Sequence, residues 1–340
     1  MARQLRGFEN FNLLGLEKLS GVKNLLGFSA QVDSTCLFYL LKEREIDFDI
    51  AIINYQTRAQ SKDELKLAKK LAKKFDKKIF IKNAKLLDSN FECRARDIRF
   101  KFFSKIIKKY NYSNLILANQ LNDRLEWFLI QITKGSGINS ALGFSAISKY
   151  FYKDKFYNII RPLSNTPRND IEVFLKQNKI KHFKDKSNKD EKYLRNFFRK
   201  KYANSLIKHF KNGILKSFSY MQSEYDALYQ SEILNVDSIF VFKKKSDLLN
   251  LNNISLCAKR LGYVVSKPQR DEIIKSQFSC IIASKIVIDS SDDFVFITES
   301  REKIKHSKAF RENLRVANIP PKIRPFVDIE ILAKLKILTN

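Results

Sequence analysis

Metal-binding chemistry has little material in this chain. Its 340 residues hold only four cysteines and three histidines. Cys36, Cys93, Cys257 and Cys280 lie far apart, and no two have the C-x-x-C spacing of a zinc or iron–sulfur ligand pair. Reduced, buried thiols are expected instead. No apolar run reaches the roughly 20 residues of a membrane-spanning helix, so no membrane partner is expected. The N-terminal stretch MARQLRGFENFNLLGLEKLSG has neither a long apolar segment nor a small-residue cleavage site, which predicts a cytoplasmic protein. Acidic residues are scarce too. Thirty-six Asp and Glu face 64 Lys and Arg, for a net charge of +28. Self-repulsion of that size is tolerable where a polyanion is the working partner, and nucleic acid is the first candidate. The competing account is a lysine-rich proteome encoded by an AT-rich genome.

What is present reads as a globular protein large enough for two domains, with 44% hydrophobic and 29% charged residues. Strand signals at 23–28, 49–54, 78–82 and 114–118 alternate with helical signals at 34–41, 61–75, 91–110 and 123–133. Apolar strands separated by helices predict a doubly wound parallel sheet covered on both faces. Ligands of such sheets bind at the carboxyl ends of the strands, where Ser29, Asn54 and Asn119 fall. Beyond Arg161-Pro162-Leu163 the pattern turns helical, with helices expected at 169–178, 194–210 and 217–234. A smaller α+β unit follows, with strands near 239–242, 285–288 and 294–297 and helices at 255–261 and 269–276. Pro320, Pro321 and Pro325 forbid a continuous helix in the tail. The expected division is a catalytic domain over 1–210, a connecting helix over 211–237, and a small domain with a basic tail over 238–340.

The segment Ser29-Ala30-Gln31-Val32-Asp33-Ser34 joins the first strand to the first helix. A tight polar loop at a helix start is an anion site, because the first N–H groups of the helix lack internal partners and its dipole favours negative charge. By itself S-x-x-x-D-S reads equally well as helix capping. Arg96 and Arg99 stand three apart on one helix face, where two guanidiniums can grip phosphate or simply be solvated. Asp123 and Glu126 are likewise three apart, as a cation-binding carboxylate pair or as compensation of a helix dipole. Arg195, Arg199, Lys200 and Lys201 make a basic cluster that suits phosphate contacts.

The loop resembles that of the N-type ATP pyrophosphatases, Ser-Gly-Gly-x-Asp-Ser, with Ala30 and Gln31 in place of the two glycines. Seven further segments resemble tRNA(Ile)-lysidine synthetases in order and spacing. They are Ile53-Asn54-Tyr55-Gln56-Thr57-Arg58; Ala95-Arg96 through Phe103; and Ala118-Asn119 through Glu126, with Asn119 for a histidine and Asn122 for an aspartate. Then come Lys134-Gly135-Ser136-Gly137 with Leu142-Gly143; Arg161-Pro162-Leu163; Asp185-Lys186-Ser187-Asn188; and Arg195-Asn196-Phe197-Phe198-Arg199. The stretches 255–296 and 318–325 also resemble the small domain and C-terminal segments of that family.

The resemblance implies a PP-loop fold and an ATP-dependent ligase that joins lysine to the wobble cytidine of tRNA(Ile), with Mg²⁺ as cofactor. ATP would lie on Ser29, Ala30, Gln31, Val32, Asp33 and Ser34, with adenine near Asn54 and Tyr55 and with Arg96 and Arg99 contacting nucleotide or RNA. Asp33 would hold Mg²⁺ or orient the loop. Asp33, Asp123 and Glu126 would be the catalytic carboxylates. Asn119, Asp123, Glu126, Lys134, Arg195 and Arg199 would meet the substrates, tRNA(Ile) and free L-lysine. The alternatives are a tRNA-binding protein of the same fold without ATP turnover, and a tRNA thiolase, which the lack of a C-x-x-C pair disfavours. Oligomeric state is left open, a homodimer included.

Overall fold

The computed structural model describes residues 5–56, 60–84, 91–152, 155–184, 194–229 and 232–339. Thr57, Arg58 and the segment Asp185-Lys186-Ser187-Asn188 lie outside the described residues. The chain divides into two compact units, Met1–Ser223 and Glu224–Asn340.

In the first unit, strand β1 (Asn24–Gly27) leads into helix α1 (Val32–Glu43), β2 (Asp49–Asn54) into α2 (Gln60–Lys74), β3 (Ile79–Asn83) into α3 (Phe91–Tyr110), and β4 (Asn114–Ile116) into α4 (Leu121–Thr133). A short α5 (Ile138–Ala141), strands β5 (Ile147–Tyr152) and β6 (Lys155–Ile160) and helix α6 (Arg168–Gln177) follow. The sheet order is β3-β2-β1-β4-β6-β5. All neighbours are parallel except the edge strand β5, which pairs antiparallel with β6. Side chains alternate across this sheet as the strand period of two requires. Leu26, Ile50, Ile52, Ile116 and Ile160 join a core with α1, α2 and α6, whereas Leu25, Ala51, Leu115 and Ile159 join Phe103, Ile106 and Ile107 of α3. Burial on both faces is why β1, β2 and β4 read as continuous apolar runs.

Strands β5 and β6 were not foreseen. Their residues ISKYFY and KFYNII mix lysines with aromatics, and β5 is an edge strand with no fully buried side chain, so no continuous apolar run marks it.

The expected helix over 194–210 is interrupted. Helix α7 (Leu194–Phe198) passes into a wide turn, Arg199–Ala203, in which Asn204 N–H reaches back five residues to the Arg199 carbonyl. Helix α8 (Asn204–Tyr229) then continues, with a non-helical kink at Phe210. The helix expected over 217–234 stops short, because Leu234–Val236 is a strand, β7. A two-residue turn, Asp237-Ser238, with φ of 47° and 65°, folds β7 onto β8 (Ile239–Lys243). Positive φ at both turn residues matches the strand twist of a tight hairpin.

The second unit holds the antiparallel sheet β7-β8-β11-β10-β9, completed by β9 (Cys280–Ile282), β10 (Ile286–Ser290) and β11 (Phe294–Glu299). Helices α9 (Asp247–Arg260) and α10 (Lys267–Lys275) cover the face carrying Phe240, Phe242, Ile288 and Ile297. Helices α11 (Lys308–Val316) and α12 (Ile329–Thr339) cover the face carrying Ile239, Val241, Val287 and Phe296. Pro320, Pro321 and Pro325 fall between α11 and α12, where no helix could continue. Cys36, Cys257 and Cys280 are free and buried. Among the described residues no helix is long and apolar enough to cross a membrane.

Candidate active site

The parallel strands β2, β1 and β4 are neighbours, so their carboxyl ends set Asn54, Ser29 and Asn119 in adjacent positions along one edge of the sheet. The loop after β1 is closed by its own hydroxyls. Ser34 Oγ accepts from Ser29 N–H at 3.2 Å, lies 3.0 Å from Ser29 Oγ and donates to the Gln31 carbonyl at 3.2 Å. Ala30 is left-handed, with φ of 58°. Gln31 is not: with φ of −88° and ψ of 172° it is an ordinary N-cap of α1. Only one of the two residues that replace glycines therefore bears strain, about 1–2 kcal/mol for a left-handed alanine. The Ala30 methyl is fully buried in the apolar core, and the Ala30 carbonyl accepts from Phe183 N–H at 3.0 Å. Tertiary contacts thus hold a conformation that local sterics disfavour.

Asp33, in the first turn of α1, accepts from Arg168 Nη1 at 2.6 Å through Oδ2. Its other oxygen, Oδ1, is buried with no hydrogen-bond partner among the described residues, as is Thr35 Oγ1 two residues further on. Burial pushes the Asp33 carboxyl up to about 6 against the pull of Arg168, and Asp123 raises it further. Arg168 was not singled out from the sequence. It sits at the start of α6, its Nε meets Glu172 at 3.2 Å, and its backbone N–H donates to Asn122 Oδ1 at 3.0 Å. The signal available was only Thr166-Pro167, a helix start.

Asn122 stands where the family pattern has an aspartate, and its amide is used at both ends. It accepts from Arg168 and donates to Asn204 Oδ1 at 2.8 Å, tying the start of α4 to α6 and α8. Gln120 caps α4 reciprocally with Asp123: Asn122 N–H donates to Gln120 Oε1, and Gln120 N–H to Asp123 Oδ2. The pair expected from spacing, Asp123 and Glu126, does converge, and so do two arginines 69 to 76 residues away. Arg199 donates to Glu126 Oε2 and to Asp123 Oδ1, both at 2.8 Å. Arg195 reaches Asp123 Oδ1 at 3.0 Å and Glu126 Oε1 through its Nε. Glu126 is only 2% exposed, and burial pushes its carboxyl up to about 7 despite both guanidiniums. Arg195 and Arg199, expected to meet RNA phosphates, here neutralise carboxylates, whereas Lys200 and Lys201 are exposed.

A second group lies at the end of β2. Half-buried Tyr55 donates to the Ala95 carbonyl of α3 at 3.0 Å, and burial raises its hydroxyl against the nearby Arg99. Asn54 Oδ1 accepts from Gln56 N–H at 3.1 Å. Arg96 and Arg99 are exposed, with the Arg96 guanidinium 5.6 Å from the Phe100 ring centroid. Asn119 is half-buried and makes no side-chain hydrogen bond among the described residues.

Lys134 is set apart from the carboxylates. It is exposed at the far end of α4, about 16 Å from Asp123 at 1.5 Å per residue. Two other motif residues are structural. Arg161 clamps the start of β5 through the Ser145 carbonyl at 2.9 Å and Ser148 Oγ at 3.0 Å. Gly143 has φ of 71°, and a Cβ there would lie 2.5 Å from Trp127 Cδ1.

A strand-loop-helix anion site, an adjacent carboxylate pair and basic flanking helices are the parts of a nucleotide-using enzyme. A family model for the PP-loop domain matches residues 9–206. The protein is a PP-loop enzyme, and ATP use follows from that domain. The tRNA(Ile)-lysidine synthase of Wolinella succinogenes is 43% identical to it, over 91% of this chain and 94% of that protein. Those of Helicobacter pylori and Campylobacter jejuni are 42% and 40% identical, each over at least 90% of both chains. The chain belongs to the tRNA(Ile)-lysidine synthase family of ligases. Among solved structures, the U34-tRNA thiolase NcsA from Methanococcus maripaludis aligns with a TM-score of 0.50, over 62% of this chain and 75% of its own, at 18% identity. That likeness concerns the fold alone.

Proposed function

We propose that this chain joins free L-lysine to C2 of the wobble cytidine of tRNA(Ile) with a CAU anticodon, at the expense of ATP, so that the tRNA reads AUA. The C2 carbonyl oxygen of the cytidine attacks the α-phosphorus, and pyrophosphate leaves. The lysine ε-amine then attacks C2 and expels AMP. The target base must leave its stack, which a single-stranded anticodon loop makes cheap. The chemistry needs positioned donors around the leaving pyrophosphate more than a protein nucleophile.

The proposed residue roles are as follows. Ser29, Ser34 and the first N–H groups of α1, after Ala30, Gln31 and Val32, receive the pyrophosphate. Asn54 and Tyr55 border the adenine, and Arg96 and Arg99 reach nucleotide or RNA. The unpartnered Asp33 Oδ1 fits a Mg²⁺ ion. One carboxylate completed by phosphate and water oxygens is how Mg²⁺ is usually held. Consistent with that, no cluster of three His, Cys, Asp or Glu exists among the described residues. When bound, the ion supplies charge neutralisation on the leaving group. Asp123 and Glu126 suit the lysine ammonium, which would share them with Arg195 and Arg199. Asn119 would meet a substrate beside the loop, and Lys134, at the far end of α4, would meet the tRNA away from the carboxylates; an asparagine at 119 can position a ligand but cannot titrate near neutral pH.

The observation that carries this reading is the buried, unshared Asp33 oxygen in a loop that closes without its glycines. The experiment is lysine incorporation into tRNA(Ile) with a CAU anticodon, with the expected result of ATP-dependent lysine transfer. Absence of transfer at any enzyme concentration, with tRNA still bound, would establish instead a tRNA-binding protein without ATP turnover. Because the partner is a polyanion, tRNA affinity should fall steeply with salt; a flat response would remove RNA as the reason for the +28 charge.

A further inference from the structure

We propose that Arg168 is a positioning residue of the nucleotide loop: its guanidinium holds one oxygen of Asp33 so that the other stays unshared for the nucleotide side, while its backbone N–H fixes this arrangement to the start of α4 through Asn122. The inference rests on the ATP-using reading of the loop.

Three contacts made by one residue support it. Nη1 meets Asp33 Oδ2 at 2.6 Å, Nε meets Glu172 at 3.2 Å, and the backbone N–H meets Asn122 Oδ1 at 3.0 Å. The guanidinium is thereby gripped on two edges, which fixes its plane, a constraint that a lysine ammonium cannot reproduce in full. Asp33 would otherwise have two equivalent oxygens and free rotation of its carboxylate. With Oδ2 taken, only Oδ1 remains, and it is buried without a partner among the described residues. A buried acceptor without a partner is costly, so its retention argues for a ligand that satisfies it. The Asn122 bond adds a second consequence. Asn122 precedes Asp123 and is itself held by Asn204. The nucleotide loop and the carboxylate pair, which belong to helices α1 and α4 far apart in the chain, therefore share one mechanical link at the first residue of α6.

The test uses the full chain and measures Mg²⁺-ATP affinity by equilibrium dialysis, tRNA affinity by filter binding, and thermal melting. Arg168→Gln is expected to weaken ATP binding by about tenfold or more, the size typical of removing the partner that orients a ligating carboxylate. Its tRNA affinity should stay within about twofold of wild type, within the spread of a surface change. Arg168→Lys should recover part of the loss. Glu172→Gln, which frees only the Nε edge, should weaken ATP binding less than Arg168→Gln does. In the Asp33→Asn background, Arg168→Gln should add nothing further, because both act through one carboxylate.

The proposal is overturned if Arg168→Gln costs the same factor with Asp33 and with Asn at position 33. It is also overturned if ATP and tRNA affinities fall together, or if Glu172→Gln matches Arg168→Gln. Failure of the wild-type chain to bind ATP would instead remove the functional reading beneath it.

Discussion

Asp33 and Glu126 are both carboxylates near a helix start, on the ligand side of one sheet, and burial lifts both, yet they are treated in opposite ways. Glu126 is almost wholly enclosed, and two arginines hold both of its oxygens. Asp33 is held on one oxygen by one arginine, and the other has no partner among the described residues. The chain has neutralised one site from its own sequence and left the other incomplete. A buried ionic group is costly unless fully paired, so the incomplete site is where a ligand is owed. At the complete one, a ligand would have to compete with the protein's own guanidiniums.

Removing a guanidinium from the complete site should have the largest effect. Arg199→Gln leaves Glu126 with Arg195 alone and is expected to cost about 3 kcal/mol of stability, the lower end for breaking a buried pair. A urea melt checks it; a loss as small as that of a surface substitution would erase the contrast with Asp33.

The second effect sharpens the same contrast through pH. The Glu126 carboxyl titrates near 7 in the folded protein, above its range in the unfolded chain. Between those values the folded state binds the extra proton, so its contribution is complete at low pH and is lost as pH rises toward 7. Relative to Glu126→Gln, which cannot ionise, wild type should lose about 2 kcal/mol between pH 5 and 7, from 1.36 kcal/mol per unit. Parallel stability curves for the two proteins would mean that the guanidiniums outweigh burial.

The smallest effect concerns the loop. Ala30→Gly removes left-handed strain of about 1–2 kcal/mol but also deletes a buried methyl, about 0.8 kcal/mol, and frees the unfolded chain by about 0.4–1 kcal/mol. Stability measured by thermal melting should therefore change by less than about 1 kcal/mol in either direction, on those terms. A larger gain would show that Ala30 is strained beyond what the core repays.

These expectations separate what could be read along the chain from what could not. Strands β1, β2 and β4 were legible because they are buried on both faces and each carries an unbroken apolar run, Leu25-Leu26, Ile50-Ala51-Ile52-Ile53 and Leu115-Ile116. Strands β5 and β6 were not, because the edge strand β5 has no fully buried side chain and polar Lys155 and Asn158 interrupt β6. The short strand β7 was absorbed into a helix, since three residues show no period until a hairpin turn pairs them. The i, i+3 carboxylates Asp123 and Glu126 and the i, i+4 arginines Arg195 and Arg199 were visible because helix geometry is local. That they face one another was not.

The sequence by itself determined the strand-loop-helix order, the polar character of the loop, the acidic and basic pairs, and the family to which their spacing belongs. These depend on interactions within a few residues or on patterns that repeat along the chain. Only the tertiary structure decided that Ala30 alone takes the left-handed conformation, that Arg195 and Arg199 close on Asp123 and Glu126, and that Arg168 grips Asp33 from 135 residues away. The physical reason is common to all three. Each is set by which elements the sheet order brings side by side, and a residue's charge or propensity carries no record of the partner that the fold delivers to it.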